Sequence, residues 1–480
     1  MTASINTIKN KTSSSTREEK DLLGTLSVPD TAYYGIQTMR AMENFHLSGV
    51  PLSHYPQLVT ALMMVKQAAA EANHRLGHLN NVRFEAITHA CQKVINGQHH
   101  DQFVVDMIQG GAGTSTNMNA NEVIANIGLE FLGHSKGSYQ HLHPNNHVNM
   151  AQSTNDAYPT AIRLGLLLGH DALLESLSAL SQAFGNKSKE FSKVLKMGRT
   201  QLQDAVPMTL GQEFRAFSTT LTEDFGHLER QVPPLLREVN LGGTAIGTGI
   251  NTDPSYQHLA VEWLSAISKQ PLVPAHDLIE ATSDMGAFVM FSSMLKRLAV
   301  KLSKICNDLR LLSSGPRTGF NEINLPARQP GSSIMPGKVN PVIPEAVNQV
   351  AFAVIGNDLA LTLAAEAGQL QLNVMEPLIA YKIFDSIRLL TRAMDMLREY
   401  CVVGITANVE HCRAMVEGSI GLVTALCPHI GYENATRIAQ RAMELNCGVL
   451  ELVREEGLLD EVTLTDVMRP EHMIAPRMTT

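Results

Sequence analysis

Between Met285 and Ser313 the apolar residues fall at Phe288, Phe291, Leu295, Leu298, Leu302, Ile305, Leu309 and Leu312. The steps alternate three and four without a miss, a heptad a/d pattern that places the whole series along one side of a long α-helix. A second run carries Ile383, Ile387, Leu390, Met394, Leu397 and Cys401, and a weaker third carries Ile162, Leu166, Leu173, Leu177, Leu180 and Phe184. Helices this long exceed the globular mean of about 11–12 residues and pack lengthwise in bundles. Met290, Met294, Ala299 and Cys306 add apolar positions beside the first seam. A face that wide points to burial on more than one side, as in a bundle shared between the subunits of a homo-oligomer. Strand alternation is scarce and only 5% of residues are aromatic, so the expected fold class is mainly α.

Glycine and proline clusters punctuate the helices at Gly110–Gly113, His143–Asn146, Met197–Pro207, Leu241–Asn251 and Gly315–Pro344. The expected organisation is a flexible tail over residues 1–20, a mixed helical domain over 21–151, a central helix bundle over 152–405 and a small C-terminal helical domain over 406–480.

Several function classes drop out. At 44% hydrophobic over 480 residues the chain can bury a large core. Its net charge of −8, without a long basic run, argues against nucleic acid as a partner. No apolar run approaches the ~20 residues of a membrane helix. The polar, serine-rich start MTASINTIKNKTSSST lacks the apolar segment of a secretory signal. Cys91, Cys306, Cys401, Cys412, Cys427 and Cys447 form no CxxC pair, the pattern of free thiols in a reducing compartment. A soluble cytoplasmic protein without a membrane partner is expected. The histidines form no HExxH or comparable helical metal pair.

Four polar patches stand out against the aliphatic background: GGAGTSTNMN (110–119), QSTNDAYPT (152–160), GRTQLQDAVPMTLGQE (198–213) and PGSSIMPGKVNP (330–341). The last is not a nucleotide-binding P-loop. Gly331 and Gly337 enclose five residues where that motif has four, and Val339, not Ser or Thr, follows Lys338. Each patch lies at the edge of a helical segment, where unpaired backbone N–H groups and small hydroxyl and amide side chains supply donors. A cap and a turn explain one such residue per helix. Three or four in each patch suit a pocket for a small carboxylate, phosphate or sulfate.

GSSIMPGKVNPVIPE resembles the signature loop GSSxMxxKxNxxxxE of the aspartase/fumarase superfamily, with Gly331, Ser332, Ser333, Met335, Lys338, Asn340 and Glu345 at the defining positions. QGGAGTSTNMNANEVIANIGLE, STNDAYPT and GRTQLQDAVPMTLGQEFRAF resemble the family's other blocks in the same order, and the likeness runs from about Asp21 into the C-terminal domain. STNDAYP, GTAIGTG and AAEAGQLQLNVMEP are most similar to the members that act on aspartate. Class II fumarases typically carry SSND and a histidine after GRT, where this chain has Gln201. The resemblance implies a three-domain fold with a central long-helix bundle. It also implies a homotetramer with a twenty-helix core and active sites shared by three subunits.

The reaction implied is reversible deamination of L-aspartate to fumarate and ammonia, by anti-elimination through an aci-carboxylate. Removing a proton beside a carboxylate places a second negative charge on it, and each preorganised neutral donor aimed there contributes roughly 3–4 kcal/mol. By resemblance Thr114, Ser153, Thr154 and Ser333 hold that β-carboxylate, and Lys338 and Asn340 hold the α-carboxylate. Asn155, Thr200 and Gln201 surround the amino group, and Ser332 is the general base on a loop that closes over substrate. Glu345 is expected to be structural, at the start of the next helix, and Arg40 to be a surface or interface residue rather than part of a regulatory site. The resemblance implies no required cofactor and at most a divalent metal such as Mg²⁺ as activator. Rival readings are a fumarate hydratase and a non-catalytic, crystallin-like relative. Ammonia-lyases with a cofactor made from Ala-Ser-Gly are excluded, because no such triplet occurs.

Overall fold

The computed structural model describes residues 15–474. The chain opens with a hairpin of β1 (Thr16–Asp21) and β2 (Gly24–Pro29). Helices α1 (Ile36–Asn44), α2 (Pro56–Arg75), α3 (Asn81–Ile95), α4 (Thr114–Phe131) and α5 (Thr154–Glu190) follow. A second hairpin, β3 (Leu195–Thr200) and β4 (Gln203–Thr209), leads into α6 (Leu210–Arg237), α7 (Tyr256–Ser268), α8 (Leu278–Ser283) and α9 (Gly286–Leu312). After the fourth patch come α10 (Val342–Glu366) and α11 (Glu376–Tyr400). Short helices from Val409 onward close the chain around their own core of Leu426, Ile438, Leu452, Val453 and Leu464. The molecule is mainly α.

By compactness the chain divides into two units. One holds the chain up to Asp171 with Arg230–Ser293 and Gly356–Ile387, and the other holds Ala172–Glu229, Met294–Ile355 and the chain from Arg388. This grouping does not follow the linear segments 21–151, 152–405 and 406–480, because each of the five longest helices has one end in each unit. The expected tail also needs correction. Residues 1–14 lie outside the described residues, but from Thr16 the chain is strand, and Arg17 donates to Pro29 O and Ala32 O at 2.9 Å.

The heptad runs became the helices they foretold. In α9 the eight seam residues are 0–4% exposed, and Ile383 to Cys401 and Ile162 to Phe184 are buried likewise. Each such burial stabilises by roughly 1.5–3 kcal/mol, far more than helix propensity supplies. Helix α10 departs from expectation, being long and apolar enough to cross a membrane. Its polar groups are bonded into the protein: Asn348 donates to Ser303 O and Asn307 Oδ1, and Asp358 accepts from Ser292 Oγ at 2.8 Å. A stripe of Phe352, Ile355, Leu359 and Leu363 on one face of α10 stays exposed.

Glu376, the first residue of α11, is fully buried, and neither carboxylate oxygen has a hydrogen-bond partner among the described residues. Burial pushes its pKa well above 4.5, against the pull of Arg163. A raised folded pKa means that stability is lost as pH rises above the unfolded value, by about 1.4 kcal/mol per pH unit until the folded carboxyl ionises. Glu376→Gln should therefore match the parent in thermal melts near pH 4.5 and exceed it increasingly toward pH 7. Parallel melting curves across that range would refute this account of Glu376.

Candidate active site

The first two patches sit at the N-termini of α4 and α5, in the same unit. QSTND forms a capping box: Ser153 N donates to Asp156 Oδ1 (2.8 Å) and Asn155 N donates to Ser153 Oγ (3.2 Å). Ser153 and Asp156 thus serve as caps, and Thr154 and Asn155 between them are half-buried. Asp156 is fully buried, and its second oxygen accepts from Gly242 N (2.9 Å) and Thr244 N (3.1 Å), fastening the GTAIGTG loop to the head of α5. Asn155 Nδ2 donates to Ala245 O of that loop at 2.8 Å. Pro159 lacks the N–H that would reach Asn155 O, and Asn240 Nδ2 donates there instead, at 3.0 Å. Thr114 opens α4 after Gly113, whose φ is +90° and where an added Cβ would lie 2.2 Å from the Tyr158 ring. Only glycine permits both that conformation and that approach. The Thr114 hydroxyl is exposed and donates to Gly111 O at 2.7 Å, so it must turn to reach a ligand.

Behind these termini lies a group that sequence reading missed. Lys66 is fully buried in α2, and its ammonium donates to Asn117 Oδ1 (2.6 Å), Gln152 Oε1 (2.8 Å) and Asn149 Oδ1 (2.9 Å). With its oxygen held, Asn117 aims Nδ2 at Thr154 Oγ1, 3.2 Å away. Thr154 therefore accepts from behind, and its own proton is free to point forward. Burial pushes the Lys66 ammonium down to about 7 and the Asp156 carboxyl up to about 6. One signal was available: a lone lysine in VTALMMVKQAAAEAN, a helix stretch otherwise without positive charge.

The third and fourth patches belong to the other unit. Thr200 pairs with Gln203 across the β3–β4 hairpin, whose exposed tip is Gln201 and Leu202, both left-handed with φ of 55° and 61°. That turn suits Asn-Gly, and non-glycine residues there are strained by roughly 1–3 kcal/mol each. The fourth patch is a loop closed at its neck, where Asn340 Nδ2 donates to Gly331 O (2.7 Å). A Cβ on Gly331 would lie 2.0 Å from Lys338 O, which only glycine avoids. Half-buried Ser332 accepts at Oγ from Met335 N (2.9 Å) and Ile334 N (3.2 Å). Ser333 and Lys338 are exposed. Lys338 and Asn340 line a cavity of about 440 Å³ with Arg310, Asn307, Ser313 and Ser314. Glu345 lies in the first turn of α10. Arg40 is committed to Asp21 by bonds of 2.7 and 2.8 Å, which fix the β1–β2 tip to α1.

Two family models match the chain, one described as lyase over residues 24–356 and one as fumarase C C-terminus over 422–475. An aspartate ammonia-lyase of Pseudomonas aeruginosa is 78% identical over 464 residues, covering 97% of this chain and 98% of its own. One of Escherichia coli is 56% identical over 465 residues, covering 97% of each. Among solved structures, a fumarate lyase:delta crystallin from Brucella melitensis bound to cobalt superposes with a TM-score of 0.93 at 59% identity, covering 96% of this chain and 100% of that one. A class II fumarase from Schistosoma mansoni gives 0.87 at 34% identity, covering 96% and 99%.

Proposed function

The chain belongs to the aspartase/fumarase superfamily of lyases and deaminates L-aspartate reversibly to fumarate and ammonia; we propose that it does so by anti-elimination through an aci-carboxylate, with Ser332 as general base. The observation that carries this mechanism is the pair of backbone N–H groups directed at Ser332 Oγ. A hydrogen bond to the ionised form favours it, so the loop lowers the cost of the alkoxide that must take the Cβ proton. The proton moves to Ser332 Oγ, the Cβ–H electrons pass into the β-carboxylate, and their return expels ammonia from Cα.

In this reading Thr114, Ser153, Thr154 and Ser333 receive the β-carboxylate as its charge doubles, and Thr154 is suited to the task by Asn117 behind it. Lys338 and Asn340 take the α-carboxylate, with one Asn340 amide hydrogen left after the loop neck is closed. Asn155, Thr200 and Gln201 face the amino group. Ile334, 82% exposed, and Met335 give the loop an apolar tip that closure would bury, which excludes water from the site. No cofactor enters the scheme, and a divalent metal acts only as an activator. Among the described residues no cluster of three or more His, Cys, Asp or Glu could hold an ion, and no step is routed through one. The exposed apolar stripe on α10 suits a homotetramer with sites built from three subunits. The unpaired cysteines suit the cytoplasm.

Fumarate absorbance followed with L-aspartate or L-malate as sole substrate tests this reading. Fumarate should appear from aspartate alone, whereas fumarate from malate alone would make the enzyme a hydratase. Gln201→Ala should raise KM for aspartate by roughly tenfold, the loss of one charge-assisted hydrogen bond. Unchanged KM and kcat would remove Gln201 from the site.

A further inference from the structure

We infer that Glu322 is a positioning residue that acts through Arg199 to set the hairpin tip carrying Thr200 and Gln201. Glu322 is fully buried, and its Oε1 accepts from Arg199 Nη1 at 2.6 Å. Lys196 Nζ lies 2.8 Å from Oε2, an ion pair whose angle falls short of a hydrogen bond, and also donates to Glu213 Oε2 at 2.6 Å. Two cations of β3 therefore converge on one carboxylate. The Arg199 guanidinium also lies 4.2 Å from the centre of the Phe320 ring. Glu322 itself is held by its backbone, since Asn408 N donates to its carbonyl at 2.9 Å.

Two features make this more than a stabilising ion cluster. The β3–β4 ladder breaks register between Met197 and Arg199, so the tip is carried on only two further pairs, Arg199 with Asp204 and Thr200 with Gln203. Beyond the break come the two left-handed residues Gln201 and Leu202, a conformation that persists only where its surroundings over-determine it. Arg199, one residue before Thr200, is the anchor on the β3 side, while Asp204 on the β4 side accepts from Ser419 Oγ at 2.7 Å. Buried ion pairs are poor sources of net stability, because apolar side chains of similar volume often do as well. What the pair supplies that apolar packing cannot is direction. Glu322 also stands nine residues before Gly331, on the chain segment that leads into the Ser332 loop.

The inference rests on Gln201 contacting substrate, and the test separates the two. Steady-state kinetics on aspartate are measured for Glu322→Gln, Gln201→Ala and the double variant, with melting temperature and assembly state alongside. Glu322→Gln should raise KM about tenfold with kcat changed far less, and the double variant should be no worse than Gln201→Ala. A merely structural Glu322 would lower the melting temperature and leave KM alone. That result, or two effects that multiply in the double variant, overturns the inference. A silent Gln201→Ala overturns the reading of the tip, and the inference with it. Should Glu322→Gln fail to fold, Arg199→Lys keeps the charge and loses the planar fork. It should raise KM in the same direction, and an unchanged KM there overturns the inference equally.

Discussion

Turnover of L-aspartate is expected to fall by about 10³-fold or more in Ser332→Ala, with melting temperature and assembly state unchanged. The substitution removes one oxygen from a half-buried position on a loop whose neck is closed independently by Gly331 and Asn340. Nothing in the core loses a partner, so stability should move by no more than about 0.5 kcal/mol. What is lost is the atom on which Ile334 N and Met335 N converge. A water in its place would meet the same two donors without the covalent tether, and the entropic advantage of a fixed base would go. Because the equilibrium constant is untouched, amination of fumarate must fall by the same factor as deamination of aspartate. Progress curves in both directions check this. Near-normal turnover either way would remove Ser332 as the base.

The second large effect is expected at Lys66. Lys66→Met should lower kcat/KM for aspartate by about 10²-fold, the equivalent of one preorganised donor. The argument runs through Asn117. Three amide oxygens converge on the ammonium within 2.9 Å; without it Asn149 Oδ1 keeps the amides of Asn117 and Asn121, whereas Asn117 Oδ1 and Gln152 Oε1 lose their donor. Such groups cost about 1–3 kcal/mol each if left unpaired, so Asn117 will turn to find another partner and release Thr154. The same logic makes the parent enzyme pH-dependent. An amine has two hydrogens where the ammonium has three, and the positive charge vanishes with the third. With the ammonium brought down to about 7 by burial, KM for aspartate should rise as pH increases through that value. Asp156, near 6, and the Cys91 thiol, raised by burial, are the neighbouring groups that share the titration. For stability the sign is opposite. The unfolded lysine holds its proton up to 10.5, so burying the charge costs most below pH 7, and stability recovers as pH rises from 7 toward 10.5. In Lys66→Met the rise in KM near pH 7 should be absent. The same pH profile in both proteins would exclude Lys66 as its source.

Much of this enzyme was legible along the chain. Heptad spacing is a property of neighbouring residues, so the α9 and α11 seams could be read without knowing what they pack against. The capping box at Ser153 and Asp156 is equally local, spanning four residues, but it emerged only from the structure. The motif loop singled out Ser332, Lys338 and Asn340 by resemblance, while its spacing served only to exclude a P-loop. Those are local patterns, set by the helical repeat and by the chemistry of helix ends.

What the tertiary structure alone decided is which side chains serve those ends. Lys66 meets Asn117 from 51 residues away, Asn240 reaches Asn155 from 85, and Arg199 reaches Glu322 from 123. No local spacing rule links such residues, since each partner is chosen only when packing brings two distant helices or a hairpin and a loop together. The strained Gln201–Leu202 tip went unread for the same reason, because left-handed backbone at Gln and Leu runs against their preference and is imposed from outside the turn. Helix pattern follows from the repeat of the chain, whereas the directions of buried hydrogen bonds follow from contacts that exist only once the chain has folded.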